Sequence, residues 1–205
     1  MLSTDISAEQ ILKSIKAAGH VTFEDRTAYD LNIFGIRSND NTANIFNDLV
    51  GCAYRDENFV WHCETWRATT DPGIYWLENP GRTSGTAILI PGQYRGVYKL
   101  DLHSGKYLAL CQRAGDVRVW RDGNRNAKHD PDKSQVYTDA RGINIHHASY
   151  TGTSTQVNKW SAGCQVIANI NDFNRLIALA NLQVQTHPTW TKFSYTLITE
   201  DDLIQ

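Results

Sequence analysis

The stretch RGINIHHASYTGTSTQVNKWSAGCQVIAN, residues 141–169, contains two short apolar runs separated by a long polar connection. The first run ends in the adjacent pair His146 and His147, and the second begins at Cys164. The connection between them, Ser149 to Lys159, is rich in glycine, serine and threonine, which is typical of a loop. This pattern predicts two adjacent strands joined as a hairpin, with a histidine and a cysteine on neighbouring strands.

A cysteine and a histidine placed in this way suit a nucleophile and its base. A thiol at neutral pH is only a few per cent thiolate, so it needs an imidazole within hydrogen-bonding reach to take its proton. The small residues Ala162 and Gly163 leave room for a substrate carbonyl above the thiol. The backbone N–H groups of Gly163 and Cys164 are the expected donors to the developing oxyanion. The stretch therefore predicts Cys164 as nucleophile and His146 as base.

The rest of the chain is typical of a β protein. Short runs such as TAILI, GVYKLDL, KYLALCQ and DVRVW are separated by turn sequences such as NPG, HSGK and DGN. This regular spacing predicts a mainly β fold with few helices (α+β), a mostly antiparallel sandwich or barrel. Only two substantial helices are expected, near residues 8–18 with Ser7 as N-cap and near residues 170–181 with Asn169 as N-cap.

Length and composition limit the functions that the chain can have. With 205 residues and no repeat or linker, we expect a single domain over residues 1–205, with residues 1–25 as an N-terminal helical appendage. The 20 basic and 22 acidic side chains leave no excess of positive charge to attract nucleic acid. No segment is long and apolar enough to span a membrane, and the first residues lack the basic leader of a signal peptide. We therefore expect no membrane insertion and synthesis in the cytoplasm.

The histidine, the spacer and the SAGC box at Ser161 to Cys164 resemble the signature of the L,D-transpeptidase (YkuD-like) family. In that signature a histidine is followed at a distance by Ser/Thr-His-Gly-Cys. The resemblance extends over residues 69–199 and implies an L,D-transpeptidase-like β domain. It also implies that Cys164 is the nucleophile, that His146 is its base, and that the main-chain carbonyl of His147 orients the imidazole.

The resemblance further implies an enzyme that processes peptidoglycan stem peptides and requires no cofactor. The family forms a thioester acyl-enzyme, which an amine resolves by transpeptidation or water resolves by carboxypeptidase or endopeptidase cleavage. Ala162 stands where the family has a histidine, and Gln165 and Val166 stand where it has an apolar residue and then arginine or asparagine. These departures favour cleavage over transfer. Because the substrate lies outside the cytoplasm, we expect delivery to the cell wall or periplasm by a bacteriophage or prophage route, as for an endolysin, or as a secreted effector.

Other polar and aromatic residues are expected to contact the substrate. The aromatic members of this set suit a glycan or a peptide, so a catalytically inactive cell-wall-binding or virion structural module is the alternative function. His62 and His103 have no comparable context and are predicted to be structural or surface residues. The expected substrate-binding residues are Ser161, Trp160, Tyr94, Tyr150 and Gln165.

A second site is suggested by RDGNRNAKHDPD, residues 121–132. Oxygen atoms recur here at positions 1, 3, 5, 7 and 9, the spacing with which a calcium loop surrounds one hard cation. Position 6 is Ala127 rather than glycine, and position 12 is Lys133 rather than glutamate, so an ordinary polar hairpin turn is the alternative. The predicted calcium ligands are Asp122, Asn124, Asn126, the Lys128 carbonyl and Asp130.

Overall fold

Strands make up most of the secondary structure. The structure, a computed structural model, describes residues 1–25, 27–139 and 142–204. Within these ranges the strands are β1 (Asn32–Arg37), β2 (Asp48–Arg55), β3 (Trp61–Thr69), β4 (Thr86–Leu89), β5 (Gly92–His103), β6 (Tyr107–Gln112), β7 (Val117–Asp122), β8 (Tyr137–Asp139), β9 (Ile145–His147), β10 (Gln165–Ile167) and β11 (Phe193–Thr199). The α-helices are α1 (Ala8–Ala17), α2 (Ile74–Glu78) and α3 (Ile170–Thr186), and a 3₁₀ helix spans Glu200–Asp202.

Eight strands close into a barrel in the order β1-β11-β5-β6-β9-β10-β3-β2, and β4, β7 and β8 form a separate three-stranded sheet. Among the paired strands of the described ranges, β1 with β11 and β9 with β10 run parallel, and the other pairs are antiparallel. The predicted mainly β, mostly antiparallel class is therefore confirmed. Strands β1 and β2 lie before residues 69–199, and β3 only reaches the start of this range. The barrel is therefore closed by residues outside the segment that resembles the family.

The predicted hairpin between His146 and Cys164 is wrong. Strands β9 and β10 are neighbours, but they run parallel. A parallel pair needs a connection that carries the chain back to its starting end. Residues 148–164 make this return alongside β10, where the Ser154 N–H donates to the Ala168 carbonyl at 2.9 Å. The glycine- and serine-rich composition predicts a loop correctly, but it does not specify the direction of the strand that follows.

Both predicted helices are present. The Ser7 hydroxyl accepts the N–H of Gln10 at the start of α1, and the Asn169 side chain accepts the N–H of Asn171 at the start of α3. The α1 helix packs its apolar face against β1 and β2, so residues 1–25 include a buried part of the core. Each of its large side chains contributes roughly 1.5–3 kcal/mol by leaving water. The buried residues of this contact include Ile11, Leu12, Ile15, Phe34, Ile36 and Leu49.

The sequence did not predict α2, a single helical turn that borders the functional region. Its N-cap Gly73 is pressed against the return connection, since its N–H donates to the Ser161 carbonyl at 2.9 Å. A Cβ on Gly73 would lie 2.1 Å from the Asn158 carbonyl oxygen. The indole N–H of Trp76 donates to the Lys159 carbonyl at 3.0 Å. These contacts hold α2 against the segment that leads to Cys164.

Over residues 1–25, 27–139 and 142–204, no helix combines the length and apolar character needed to cross a bilayer.

Candidate active site

The turn before Cys164 is built around a glycine that no other residue can replace without strain. Gly163 has a φ of 118°, and a Cβ on it would lie 2.6 Å from the carbonyl oxygen of Ala87 in β4. The buried hydroxyl of Ser161 accepts the Gly163 N–H at 3.1 Å and donates to the Cys164 carbonyl at 2.8 Å. Ser161 therefore fixes the turn from within. The Gly163 N–H can act as the predicted oxyanion donor only if it leaves the Ser161 hydroxyl.

The Cys164 thiol is buried and protonated. Its side chain packs with Val166 and Ala168, and its S–H donates to the Gly142 carbonyl at 3.1 Å. Burial raises the pKa of Cys164 to about 11, although the backbone N–H of Asn144 opposes this shift. A thiol with this pKa is almost fully protonated at neutral pH, so it requires a base to act as a nucleophile.

The His146 imidazole has the protonation state that a base requires. Its Nδ1 lies 2.8 Å from the main-chain carbonyl of His147, the contact that the family resemblance implies. Because a carbonyl oxygen only accepts, Nδ1 carries the proton and Nε2 keeps its free electron pair. Burial lowers the pKa of His146 to about 3, so the ring is neutral at neutral pH.

The parallel register places His146 and Cys164 on one face of the sheet. Val166 is the partner of His146, and Cys164 lies two residues before Val166. Partnered and alternate residues project from the same face. With about 3.3 Å per residue along a strand and about 4.8 Å between strands, the two Cα atoms are about 8 Å apart. Among the described residues no hydrogen bond joins the two side chains, and the thiol would have to leave the Gly142 carbonyl to reach His146.

The His103 ring lies against that of His146, a contact that the sequence did not predict. Its ring stacks on that of His146 with centroids 4.3 Å apart, and its Nδ1 accepts from the side-chain amide of Asn144 at 3.1 Å. The charge that His103 would carry when protonated adds to burial in lowering the pKa of His146. His62, in contrast, is a half-exposed residue paired with Asp56 at 2.9 Å. The contact between His103 and His146 depends on the pairing of β6 with β9. The position of His103 in the sequence therefore gave no indication of it.

The His147 side chain lies apart from the thiol, under α3. Its ring packs against the rings of Tyr107, Tyr150 and Phe173, with centroids 4.1–5.0 Å away. The cavity at this position has a volume of about 290 Å³. Burial lowers the pKa of His147, so this ring is also neutral. The main-chain carbonyl of His147 therefore serves the site, while its ring packs below the helix.

The expected substrate-binding residues divide into an exposed and an interior group. Trp160 and Tyr150 are 40% and 57% exposed. Gln165 is fully buried and accepts a hydrogen bond from Tyr195 at 2.9 Å, and Tyr94 is buried with its hydroxyl donating to a main-chain carbonyl. Alternation along β10 turns Gln165 away from the face of Cys164. Gln165 and Tyr94 are therefore shielded from solvent, whereas Trp160 and Tyr150 are accessible to a substrate. The Ser161 side chain is engaged in the turn before Cys164.

Two clefts border the segment from Asn158 to Ala162, and residues of α2 line both. The larger, about 660 Å³, is lined by Tyr75, Lys159 and Trp160 among others, with the Lys159 ammonium 4.1 Å from the Tyr75 ring centroid. The smaller has a volume of about 220 Å³ and lies at the exposed residue Ala162. Its lining consists of Trp76, Gly81, Arg82, Gly85, Thr86, Ala87, Arg121 and Ala162.

The smaller cleft carries an excess of positive charge. Arg121 is buried and donates to both carboxylate oxygens of Asp139. Arg82 approaches the same carboxylate at 3.4 Å, but its side chain is 64% exposed. Two guanidinium groups therefore share one carboxylate, and the exposed Arg82 can bind a further anion. Arg82 was not predicted as a site residue, because it lies 82 positions before Cys164 along the chain.

Comparison with known proteins gives no assignment for this site. No family model matches the chain, and neither a curated protein nor a solved structure matches it. The function is therefore inferred from the geometry of Cys164, His146 and their surroundings.

Proposed function

We propose that the protein cleaves the stem peptides of peptidoglycan through Cys164, in the manner of the L,D-transpeptidase (YkuD-like) family that its sequence resembles. One observation carries the proposal. The His147 carbonyl holds the proton of His146 on Nδ1, which leaves Nε2 as a free base on the face that Cys164 shares. A buried neutral base beside a protonated thiol is the starting state for general-base catalysis.

The reaction follows from these protonation states. Nε2 of His146 takes the proton from Sγ of Cys164 as the sulfur attacks the substrate carbonyl carbon. The resulting imidazolium gives this proton to the leaving amine, the C–N bond breaks, and a thioester to Cys164 remains. A water molecule then attacks the thioester while Nε2 accepts its proton. The imidazolium returns that proton to the departing sulfur, which releases a carboxylic acid and restores the thiol.

The charge of the smaller cleft favours substrates that carry a carboxylate. Stem peptides end in a carboxylate, and Arg82 is the exposed cation beside Ala162, two residues before the nucleophile. An arginine can bind a carboxylate through two parallel hydrogen bonds. The family has an arginine or asparagine soon after its cysteine, where this chain has the buried Val166. We assign the recognition of the substrate carboxylate to Arg82 instead.

Cleavage by water is the proposed outcome, with transpeptidation as the less favoured branch. The exposed Ala162 stands where the family has a histidine, so the site lacks that polar group at its mouth. The wall lies outside the cytoplasm, and we propose that the protein reaches it by bacteriophage-mediated release, as an endolysin does, or by secretion.

The proposal is tested with purified sacculi and mDAP-type muropeptides. The parent should release a D-amino acid or peptide, detected by liquid chromatography and mass spectrometry. Cys164→Ser and His146→Gln should lower the rate by at least about 10³-fold, because they remove the nucleophile and the base. Cys63→Ser is the matched control and should retain the parent rate, since Cys63 lies on β3 and packs with the α1 cluster. Equal release by the parent and Cys164→Ser would exclude Cys164 as nucleophile.

A cell-wall-binding or virion structural module is the second candidate function. It is favoured by the S–H···O hydrogen bond from Cys164 to Gly142, which holds the thiol away from the base, and by the exposed rings of Trp160 and Tyr150. A module of this kind would retain sacculi in a pull-down experiment without releasing fragments. Cys164→Ser would then bind sacculi as the parent does.

A further inference from the structure

We propose that the loop from Asp122 to Asp130 binds a calcium ion. This site is separate from the Cys164 site and does not depend on the proposed function. Asp122 ends β7 and is 1% exposed. Its Oδ2 accepts the Asp130 N–H at 3.0 Å, whereas its buried Oδ1 has no hydrogen-bond partner among the described residues. Buried polar atoms are nearly always partnered, and a bound ion is one cause of an apparent exception.

The negative charge of Asp122 is not neutralised by the adjacent Arg121, which is engaged by Asp139. Asp130 brings a second carboxylate into the same loop, and its N–H donates to Oδ2 of Asp122. A divalent cation bound between the two carboxylates would neutralise both. The cavity that Asp122 lines together with Asn124 and Asp130 has a volume of about 350 Å³.

The side chains of the loop already converge. The amide groups of Asn124 and Asn126 donate to the two oxygens of the Asp130 carboxylate at 2.8 and 2.9 Å. Arg125 and Ala127 have φ values of 62° and 63°, so the backbone turns sharply after each asparagine. Ala127 thus adopts the left-handed conformation that glycine supplies at position 6 of a calcium loop. The alanine found in the sequence does not prevent the turn.

The donor atoms favour calcium. Among the described residues, no three His, Cys, Asp or Glu side chains are grouped so as to hold a metal ion, so the ligands here include amide and carbonyl oxygens. Calcium accepts six to eight oxygen ligands in flexible geometry, including amide and main-chain carbonyl oxygens and water. Lys133 at position 12 has an ammonium group in place of the bidentate carboxylate, and this ammonium lies 5.1 Å from the Trp120 ring centroid. The ligands are Asp122, Asn124, Asn126, the Lys128 carbonyl, Asp130 and water.

The test is a calorimetric titration of the EDTA-treated full chain with calcium chloride, combined with thermal unfolding. We expect saturable binding with a Kd of roughly 10⁻⁴ to 10⁻³ M and a melting temperature that rises with calcium concentration. Asp130→Asn should weaken binding by about tenfold or more, since it removes the charge of an exposed ligand without disturbing the core. Asp5→Asn, an exposed carboxylate outside the loop, should bind as the parent does.

Four results would each contradict the proposal. The first is the absence of both binding heat and a thermal shift at about 10 mM calcium, well above the expected Kd. The second is unchanged calcium affinity in Asp130→Asn. Asp122→Asn provides a second variant at the buried ligand, and circular dichroism shows whether it folds. If folded Asp122→Asn binds calcium like the parent, the unpartnered oxygen is not a ligand. Equal affinity for magnesium chloride would contradict the assignment to calcium.

Discussion

The floor and the rim of the candidate active site differ in burial and charge. The floor comprises Cys164, Gly163, His146, His103, Asn144 and Ser161, and the rim comprises Arg82, Ala162, Trp160, Tyr75 and Lys159. In the floor, the thiol and the imidazoles of His146 and His103 are uncharged at neutral pH, because burial raises the pKa of the thiol and lowers those of the rings. The rim carries the exposed charge of Arg82 and the exposed ring of Trp160.

The floor therefore holds the groups proposed to react, and the rim holds the groups proposed to bind the substrate. A buried group titrates far from its usual pKa, so the thiol and the imidazole of the floor are both uncharged at neutral pH. An exposed cation keeps its charge and can bind a substrate anion. We therefore expect substitutions in the floor to change stability and rate, and substitutions in the rim to change substrate affinity.

The largest effect is expected in the floor, at Gly163. Gly163→Ala should lower the free energy of unfolding by on the order of 3 kcal/mol, because the new Cβ meets the Ala87 carbonyl oxygen and the backbone conformation disfavours it. Urea denaturation measures the change.

Gly105→Ala is the matched control for Gly163→Ala. Gly105 has a φ of 71°, and a Cβ on it would have nothing within 4 Å. It should therefore cost about 1–2 kcal/mol, from backbone conformation alone. Equal losses in the two variants would show that the close approach of Gly163 to β4 does not contribute.

A smaller effect is expected in the rim, at Arg82. Arg82→Gln should raise KM about tenfold for a stem peptide with a free terminal carboxylate, because a charge-assisted hydrogen bond is lost, while kcat changes little. The same peptide with an amidated terminus should show almost no difference between parent and variant. Lys106→Gln, at an exposed turn outside the rim, is the control. An equal rise in KM for both peptides would contradict carboxylate recognition by Arg82.

The floor was largely predictable from the sequence. The pair of histidines and the SAGC box lie within one short stretch. The space beside Gly163, predicted to admit a substrate carbonyl, is instead taken by the main-chain carbonyl of Ala87. Short β-rich runs between turn sequences also predicted the β class. The parallel direction of β10 could not be predicted, because it depends on how residues 148–164 pack against the rest of the fold rather than on their composition.

The rim and the remaining floor residues could not be predicted, for a different reason. Arg82 and α2 come close to Ala162 only through tertiary packing, and His103 reaches His146 only through the pairing of β6 with β9. Gln165 is adjacent to Cys164 in sequence, yet strand alternation turns it into the interior. Proximity in sequence therefore does not determine which side chains share a face.

Formation of a covalent intermediate on Cys164 tests the central claim most directly. The parent is mixed with a stem tetrapeptide, quenched with acid after short intervals, and digested for mass spectrometry. We predict an acyl group on the peptide that contains Cys164, lost on treatment with hydroxylamine and absent in Cys164→Ser. Absence of this adduct at every interval, together with equal product release by the parent and Cys164→Ser, would contradict the claim.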